Sequence, residues 1–360
     1  MSGPILIDGA PVEADPRGPQ AKLADLEELL RPMGRVLIGY SGGVDSALLV
    51  VATHRVLGAD AIAVTADSES YAEGELELAA EVLRPFGIRH EVVRTGELDN
   101  PDYAANPVNR CYYCKSELFS HMTALAAELQ VDNLLFGHNA DDRGDYRPGA
   151  TAAREFGVRA PLQEAGLTKR DVRELARRMG IPVWDRPALA CLSSRFPYGT
   201  PVTREGLRRV DAAENRVRAE GFGSDVRVRH HDDVARIELP ADDLARLLSD
   251  RSVRDRLRAA LVDLGYARVT ADLRGFRSGS LNEVLRSPGG DGEPAAAVRR
   301  EASGLGLDPC ECGEQGQILW MRLSEEAGDR LAQDSLRTAL VSAGERAGAR
   351  YIALDLTPAS

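Results

Sequence analysis

The chain has 360 residues, 43% of them hydrophobic and 28% charged, proportions of a globular protein with room for two or three cores. Nothing approaches 18 consecutive apolar residues, which excludes a membrane-spanning helix, and Met1–Asp8 lacks the basic region and apolar core of a signal peptide. A formal charge of -11 excludes a generally basic nucleic-acid surface. Five cysteines without an export signal point to reduced thiols and a cytoplasmic protein. Lysine occurs only at Lys22, Lys115 and Lys169, so basic residues are nearly all arginine and a lone arginine carries little functional weight.

Residues 20–33 read as an amphipathic helix with Leu23, Leu26, Leu29 and Leu30 on one face. The apolar run from Arg35 to Tyr40 fits a strand buried in a parallel sheet, and Ala47–Ala52 continues as a helix. A second unit places a strand at Ala61–Ala66 and a helix over residues 72–86; further strands are predicted at His90–Val93 and Asn133–Gly137. This alternation predicts an α/β, doubly wound parallel sheet. Prolines at 182, 187, 197 and 201 mark a boundary.

Beyond that boundary the tail repeats itself. Gly221-Phe222-Gly223-Ser224-Asp225 recurs 83 residues later as Gly304-Leu305-Gly306-Leu307-Asp308, and Asp272-Leu273 recurs as Asp355-Leu356. Arg246-Leu247 matches Arg330-Leu331 with one inserted residue. The organisation expected is an N-terminal extension (1–19), a nucleotide domain (20–190), an α+β domain (191–285) and a degenerate copy of it (286–360), joined by a Gly/Pro-rich linker at 286–294.

Between the first strand and its helix lies Ser41-Gly42-Gly43-Val44-Asp45-Ser46. Adjacent glycines let backbone N–H groups wrap an anion, and the helix N-terminus that follows favours phosphate. Ser41 and Ser46 add hydroxyl donors, and Asp45 can approach a bound Mg²⁺. The loop resembles that of the PP-loop ATP pyrophosphatase superfamily (adenine nucleotide alpha hydrolases), whose members split ATP between its α and β phosphates. The resemblance implies pyrophosphate binding at this loop and adenine contacts near Thr65-Ala66. Gly137-His138-Asn139-Ala140-Asp141-Asp142 matches the superfamily's second signature, so Asn139 and Asp141 join the expected ATP and Mg²⁺ site.

Cys111 and Cys114 share one face if Arg110 opens a helix, and Cys191 lies in a separate segment. Three thiolates leave one iron of a [4Fe–4S] cluster free to hold sulfide. Zinc would need a fourth ligand, for which His138 or His121 is a weak candidate, and buried inert thiols are the plain alternative. With their flanks, RCYYCKSELF, GHNADDRGDYRPG, ACLSSRFPYGTP and VRVRHHDDVARIE resemble the LarE family over roughly residues 20–285. Its members are ATP-dependent sulfur transferases of nickel-pincer nucleotide synthesis, which serves lactate racemase. The resemblance implies that ATP adenylylates a carboxylate of a pyridinium dicarboxylate mononucleotide, and that sulfur then displaces AMP to leave a thiocarboxylate. The sulfur comes either from the cysteine matching Cys191, which becomes dehydroalanine, or from a [4Fe–4S] cluster on Cys111, Cys114 and Cys191; the presence of all three cysteines favours the cluster.

Arg227 and Arg229 alternate along a strand and suit a phosphate clamp; the resemblance assigns them the substrate phosphate. Ser194, Arg195, Glu214 and Glu238 complete the implied substrate pocket, and a homo-oligomer, a hexamer, is implied as well. The family's chains end near residues 274–279, whereas this one continues for about 80 residues; an offset of 83 puts Cys310 and Cys312 on Arg227 and Arg229. These two cysteines either belong to a copy kept for packing or bind metal or relay sulfur. A PP-loop tRNA thiolase using the same three cysteines is the alternative function; a non-catalytic assembly protein and an amide-forming ligase are further ones. The acidic balance weighs against tRNA, and a ligase gives the three cysteines no role.

Overall fold

The computed structural model describes residues 17–142, 148–187, 190–223, 225–277, 279–280 and 292–357. Most of the N-terminal extension, part of the expected linker, residues 143–147 of the LarE-like segment GHNADDRGDYRPG and Ser224 of the repeat lie outside them. Two compact units emerge, Met1–Cys191 and Leu192–Ser360.

In the first unit, β1 (Val36–Gly39), β2 (Ala61–Asp67), β3 (Arg89–Arg94) and β4 (Asn133–Phe136) form a parallel sheet in the order β3-β2-β1-β4. Alternate strand residues face opposite layers. Val36, Ile38, Ala61 and Ala63 pack with Leu23, Leu26 and Leu48 from helices Pro19–Leu30 and Val44–Leu57. Leu37, Ile62 and Val64 pack with Leu118, Phe119 and Met122 of helix Arg110–Leu129 on the other side. Both faces of the sheet are therefore covered, which is why its central strands read as continuous apolar runs. Order β3-β2-β1-β4 reverses direction at β1, and the loop after β1 opens at that switch point.

The second unit is one mixed sheet of six strands: β5 (Arg227–His231), β6 (Val234–Glu238), β7 (Arg268–Asp272), β8 (Cys310–Gln315), β9 (Ile318–Leu323) and β10 (Tyr351–Asp355). Their order is β5-β6-β7-β10-β9-β8. Each half has an antiparallel hairpin followed by a parallel strand, and the halves meet antiparallel at β7 and β10. At that seam Thr270 pairs with Asp355 and Asp272 with Ala353, so residues 83 apart exchange places about a local two-fold through Ala271 and Leu354.

The strand register corrects the alignment of the repeat. Val234 pairs with Arg268 as Ile318 pairs with Tyr351, so β6 maps on β9 with an offset of 84. Carried through the hairpins, Arg227 then corresponds to Glu311, Arg229 to Gly313 and Glu238 to Arg322. Cys310 and Cys312 fall on Val226 and Val228, and like those valines they pack on the helix-covered core. The thiols do not take the place of the arginines; a one-residue shift moves every side chain to the other face of the sheet. The turn that enters each half moves further still. Gly221 and Gly306 both have positive φ, +79° and +68°, each with a guanidinium 3.7 Å from where a Cβ would lie, Arg246 in one half and Arg330 in the other.

Candidate active site

The first unit holds the nucleotide loop. Gly42 has φ +75°, a conformation natural to glycine, and Gly43 is the N-cap of helix Val44–Leu57. Ser46 Oγ donates to the Gly43 carbonyl at 3.0 Å and accepts from the Ser41 N–H at 3.2 Å, which fixes the loop's curl. Ser41 Oγ lies 3.2 Å from Ser46 Oγ, so both hydroxyls face one another within the curl. β4 runs directly against this helix start: a Cβ on Gly137 would lie 2.8 Å from the backbone nitrogen of Ser46. Glycine at 137 is thus a requirement of close backbone approach.

Asn139 Nδ2 donates to Asp45 Oδ1 at 3.0 Å, and Asn139 Oδ1 accepts from the Asp141 N–H at 2.9 Å. Asp142 Oδ2 accepts from the Asn139 N–H at 3.0 Å. Asp141 Oδ2 accepts from the Lys169 N–H at 2.8 Å, while the Lys169 ammonium pairs with Asp45. The two signatures, about 90 residues apart, are therefore one hydrogen-bonded cluster. Lys169 was not singled out from sequence; its scarcity among three lysines and the Thr168–Asp171 capping box beside it were the available signals. Thr65 is buried, with its hydroxyl donating to the Tyr40 carbonyl at 2.7 Å and 2.8 Å from His90 Nε2. Its hydroxyl is committed to holding the strand ends that carry the loop.

Asp45 fits a Mg²⁺ role in this arrangement, since that ion is held by one or two carboxylates together with substrate phosphates. Lys169, now on Asp45, sits where a phosphate would compete for its charge.

The thiols lie in the same unit. Cys111 and Cys114 open helix Arg110–Leu129, one turn apart, Cys111 exposed and Cys114 half-buried. Burial pushes the Cys114 thiol up to about 12; Lys115 pulls the other way, while Glu97, Cys191 and Cys111 add to the rise. Burial also raises Tyr71, with Cys114, Cys191, Glu97 and Glu75 contributing, so these groups share one electrostatic neighbourhood. Glu97 is buried and accepts hydrogen bonds from Ser68 and, at 3.1 Å, from Ser70. Sequence reading missed it, since a lone glutamate has no pattern. Among the described residues no group of three His, Cys, Asp or Glu side chains is arranged to hold a metal ion.

The second unit holds the remaining predicted residues, from the turn Leu192–Arg195, helix Arg204–Ala219 and strands β5 and β6. Arg195 Nε donates to Glu214 Oε1 at 2.8 Å, and its Nη2 reaches Glu214 Oε2 at 3.1 Å. Arg218 bonds the same carboxylate at 2.8 Å, and Arg195 Nη1 donates to Ser194 Oγ at 3.0 Å. Burial acts to raise the Glu214 carboxyl, but Arg195, Arg218 and Arg227 together hold it below the usual glutamate value. Arg229 binds Glu238 through Nε and Nη2 at 3.0 and 2.7 Å, the Ser194 carbonyl at 2.8 Å and Ser280 Oγ at 2.8 Å. Arg236 pairs with Glu238 at 2.9 Å and with Asp272.

Both arginines of the expected clamp are buried. Arg229 is spent on internal partners and acts as a strut. Arg227 donates to the Val226 carbonyl at 2.7 Å and lies over the Phe276 ring, 5.2 Å from its centroid. Burial pulls its pKa down to about 10, with repulsion from Arg195 and Arg229 adding to the fall and Glu214 opposing it. An anion beside Arg227 would relieve that repulsion, and a phosphate offers the geometry a guanidinium binds best.

Comparison with known proteins settles the relationship. The uncharacterized protein slr1717 of Synechocystis is 45% identical over 266 residues, covering 74% of this chain and 98% of that protein. The pyridinium-3,5-bisthiocarboxylic acid mononucleotide synthase of Lactiplantibacillus plantarum is 39% identical over 265 residues, 73% of this chain and 95% of the enzyme. The chain belongs to the LarE family. The chain matches no family profile. The PP-loop signature extends to more distant relatives, among them the tRNA-specific 2-thiouridylase of Microcystis aeruginosa, 28% identical over 47% of this chain. About a quarter of this LarE-family chain lies outside the alignments with the first two relatives. Among the described residues no helix is long and apolar enough to cross a membrane.

Proposed function

We propose that this enzyme uses ATP to adenylylate a carboxylate of a pyridinium dicarboxylate mononucleotide and converts it to a thiocarboxylate. The observation that carries the reading is the Asp45–Asn139–Asp141–Lys169 cluster around the glycine loop, in a chain whose synthase relative is aligned over nearly its whole length. The loop's N–H groups and the helix N-terminus hold the pyrophosphate to be released. Lys169 and a Mg²⁺ on Asp45 would offset the charge that builds on the β-phosphate as it leaves. Adenylylation turns the carboxylate oxygen into a good leaving group, and sulfur attacks the acyl carbon as AMP departs.

Sulfur reaches that carbon through Cys191 in this reading. Its thiolate displaces AMP to form a thioester; loss of the Cα proton and cleavage of the Cβ–S bond leave the thiocarboxylate and dehydroalanine at 191. A [4Fe–4S] cluster on Cys111, Cys114 and Cys191 is the other supply, supported by the mutual influence of the three thiols. Arg227 takes the substrate phosphate, with Arg195, Arg229, Glu214 and Glu238 setting its position. The associated domain reading is a PP-loop domain (20–190), a substrate domain (191–285) and a degenerate copy (286–360). A cytoplasmic homo-oligomer serving lactate racemase maturation completes the proposal.

The test is anaerobic purification of the wild type and Cys191→Ser, with iron, acid-labile sulfide and intact mass read before and after reaction with ATP and mononucleotide. Loss of one H₂S at Cys191 on turnover supports the sacrificial route. About four irons per chain, lost in the variant, would move the sulfur to the cluster. No pyrophosphate release with the mononucleotide would overturn the reaction itself.

A further inference from the structure

The tail carries a second thiol pair outside the site described above. Cys310 and Cys312 lie on one face of β8, with their sulfurs 3.5 Å apart. Their counterparts by strand register, Val226 and Val228, are fully buried. The cysteines are only half-buried. The reason lies in the cover. β5 is covered by the 16-residue helix Arg204–Ala219, whereas β8 has the 11-residue helix Pro294–Gly304. Both β5 and β8 are edge strands. Two valines of a sealed core have become two neighbouring thiols that solvent reaches.

We propose that Cys310 and Cys312 form a dithiol that accepts sulfane sulfur from a low-molecular-weight persulfide and releases it as hydrosulfide. The two sulfurs are not equivalent. Cys310 Sγ also donates to the Glu311 carbonyl at 3.9 Å, which marks it as the thiol; the hydrogen bond between the sulfurs then favours Cys312 as the thiolate, while Arg299 on the covering helix favours the thiolate form of both. The Cys312 thiolate attacks the outer sulfur of the persulfide, forming a Cys312–S–SH group as the donor's S–S bond breaks and its thiolate leaves. Cys310 then loses its proton to solvent and attacks Cys312 Sγ. The Cys310–Cys312 disulfide forms, the bond to the outer sulfur breaks, and HS⁻ departs with the electron pair. The sulfane sulfur gains two electrons and the dithiol loses two; an external dithiol reductant reopens the disulfide by exchange. Residues i and i+2 of a strand have Cα atoms about 6.7 Å apart, at the upper end of the disulfide range. The disulfide is therefore readily reduced again, as turnover requires.

As a supply of sulfide to the sulfur-transfer reaction the proposal rests on the preceding section, but the exchange chemistry does not. HS⁻ diffuses, so no covalent handover is involved.

The experiment uses the full chain and glutathione persulfide, without ATP or mononucleotide. Released sulfide is measured, and the tryptic peptide Glu301–Arg322 is weighed after alkylation. Wild type is expected to release sulfide and to lose about 2 Da from that peptide as the disulfide closes. Cys310→Ser should hold an extra sulfur, about 32 Da, on Cys312; Cys312→Ser should do neither. The Cys310→Val/Cys312→Val chain, which restores the residues of the first half, preserves packing and should lose the tail's share of the sulfide. A wild-type peptide that stays a dithiol, or a disulfide that closes without added sulfide release, overturns the proposal. Either result is read independently of pyrophosphate release, so failure here and failure of the proposed reaction are told apart.

Discussion

Asn139 Nδ2 donates to Asp45 Oδ1 at 3.0 Å, tying the loop after β4 to the first turn of the helix that follows the glycine loop. Asp45 is held from both sides, by Asn139 and by the Lys169 ammonium. Asn139→Ala should leave the fold intact and lower ATP-dependent pyrophosphate release by about tenfold to a hundredfold, the order seen when a positioning contact is lost. Unchanged single-turnover release would remove Asn139 from the machinery.

Gly137→Ala tests the close approach of β4 to the same helix. The added methyl meets the Ser46 backbone nitrogen at 2.8 Å, and neither backbone can turn aside. A cost of about 1–3 kcal/mol is expected from overpacking, with loss of ATP binding exceeding loss of stability because the strain falls on the loop itself. Calorimetry of nucleotide binding beside a denaturant melt separates the two.

Glu214 is fully buried and its carboxyl is held below the ordinary value of 4.5, burial being outweighed by Arg195, Arg218 and Arg227. A depressed folded-state value means that the ion pairs stabilise the protein above about pH 4.5 and that this stability fades as pH falls through the folded value. Glu214→Gln should therefore lose about 3 kcal/mol at pH 7, since Arg195 is left buried without its carboxylate. Its acid denaturation should also be shallower than wild type. Parallel urea titrations at pH 7 and pH 4 would show the gap closing toward the lower pH.

Arg227→Ala should raise KM for the mononucleotide about 10–100-fold with a smaller change in kcat, as expected when a group binds the substrate's phosphate equally in ground and transition states. Arg229→Ala should instead lower the melting temperature, because it removes one of the two arginine partners of buried Glu238 and two bonds to Ser194 and Ser280. Identical behaviour of the two variants would contradict the division of labour drawn between them.

Much of the first unit was legible from the chain. Apolar runs at β1 and β2 and the intervening amphipathic helices carry periods that burial imposes locally, and a glycine pair between strand and helix has few uses besides an anion loop. Asp45 was singled out for that reason, and Asn139 and Asp141 for their likeness to the superfamily's second signature. Lys169 and Glu97 were not, because each acts through a neighbour remote in sequence, and the need for glycine at 137 shows only where its backbone meets Ser46.

In the second unit the duplication was visible, since side chains that pack the same way recur. Its register was not. A strand alternates faces every residue, so a single uncompensated insertion in an otherwise sound alignment exchanges core for polar face. Only the hydrogen-bonded ladder β6-β7-β10-β9 shows that Cys310 and Cys312 replace Val226 and Val228 and not the arginines. The same holds for Arg227 and Arg229, a matched pair in sequence. Composition and local pattern, which short-range packing dictates, were fixed by the sequence alone. That Arg229 binds Glu238 and Ser280 was decided by tertiary contacts, because those partners are brought in from distant segments.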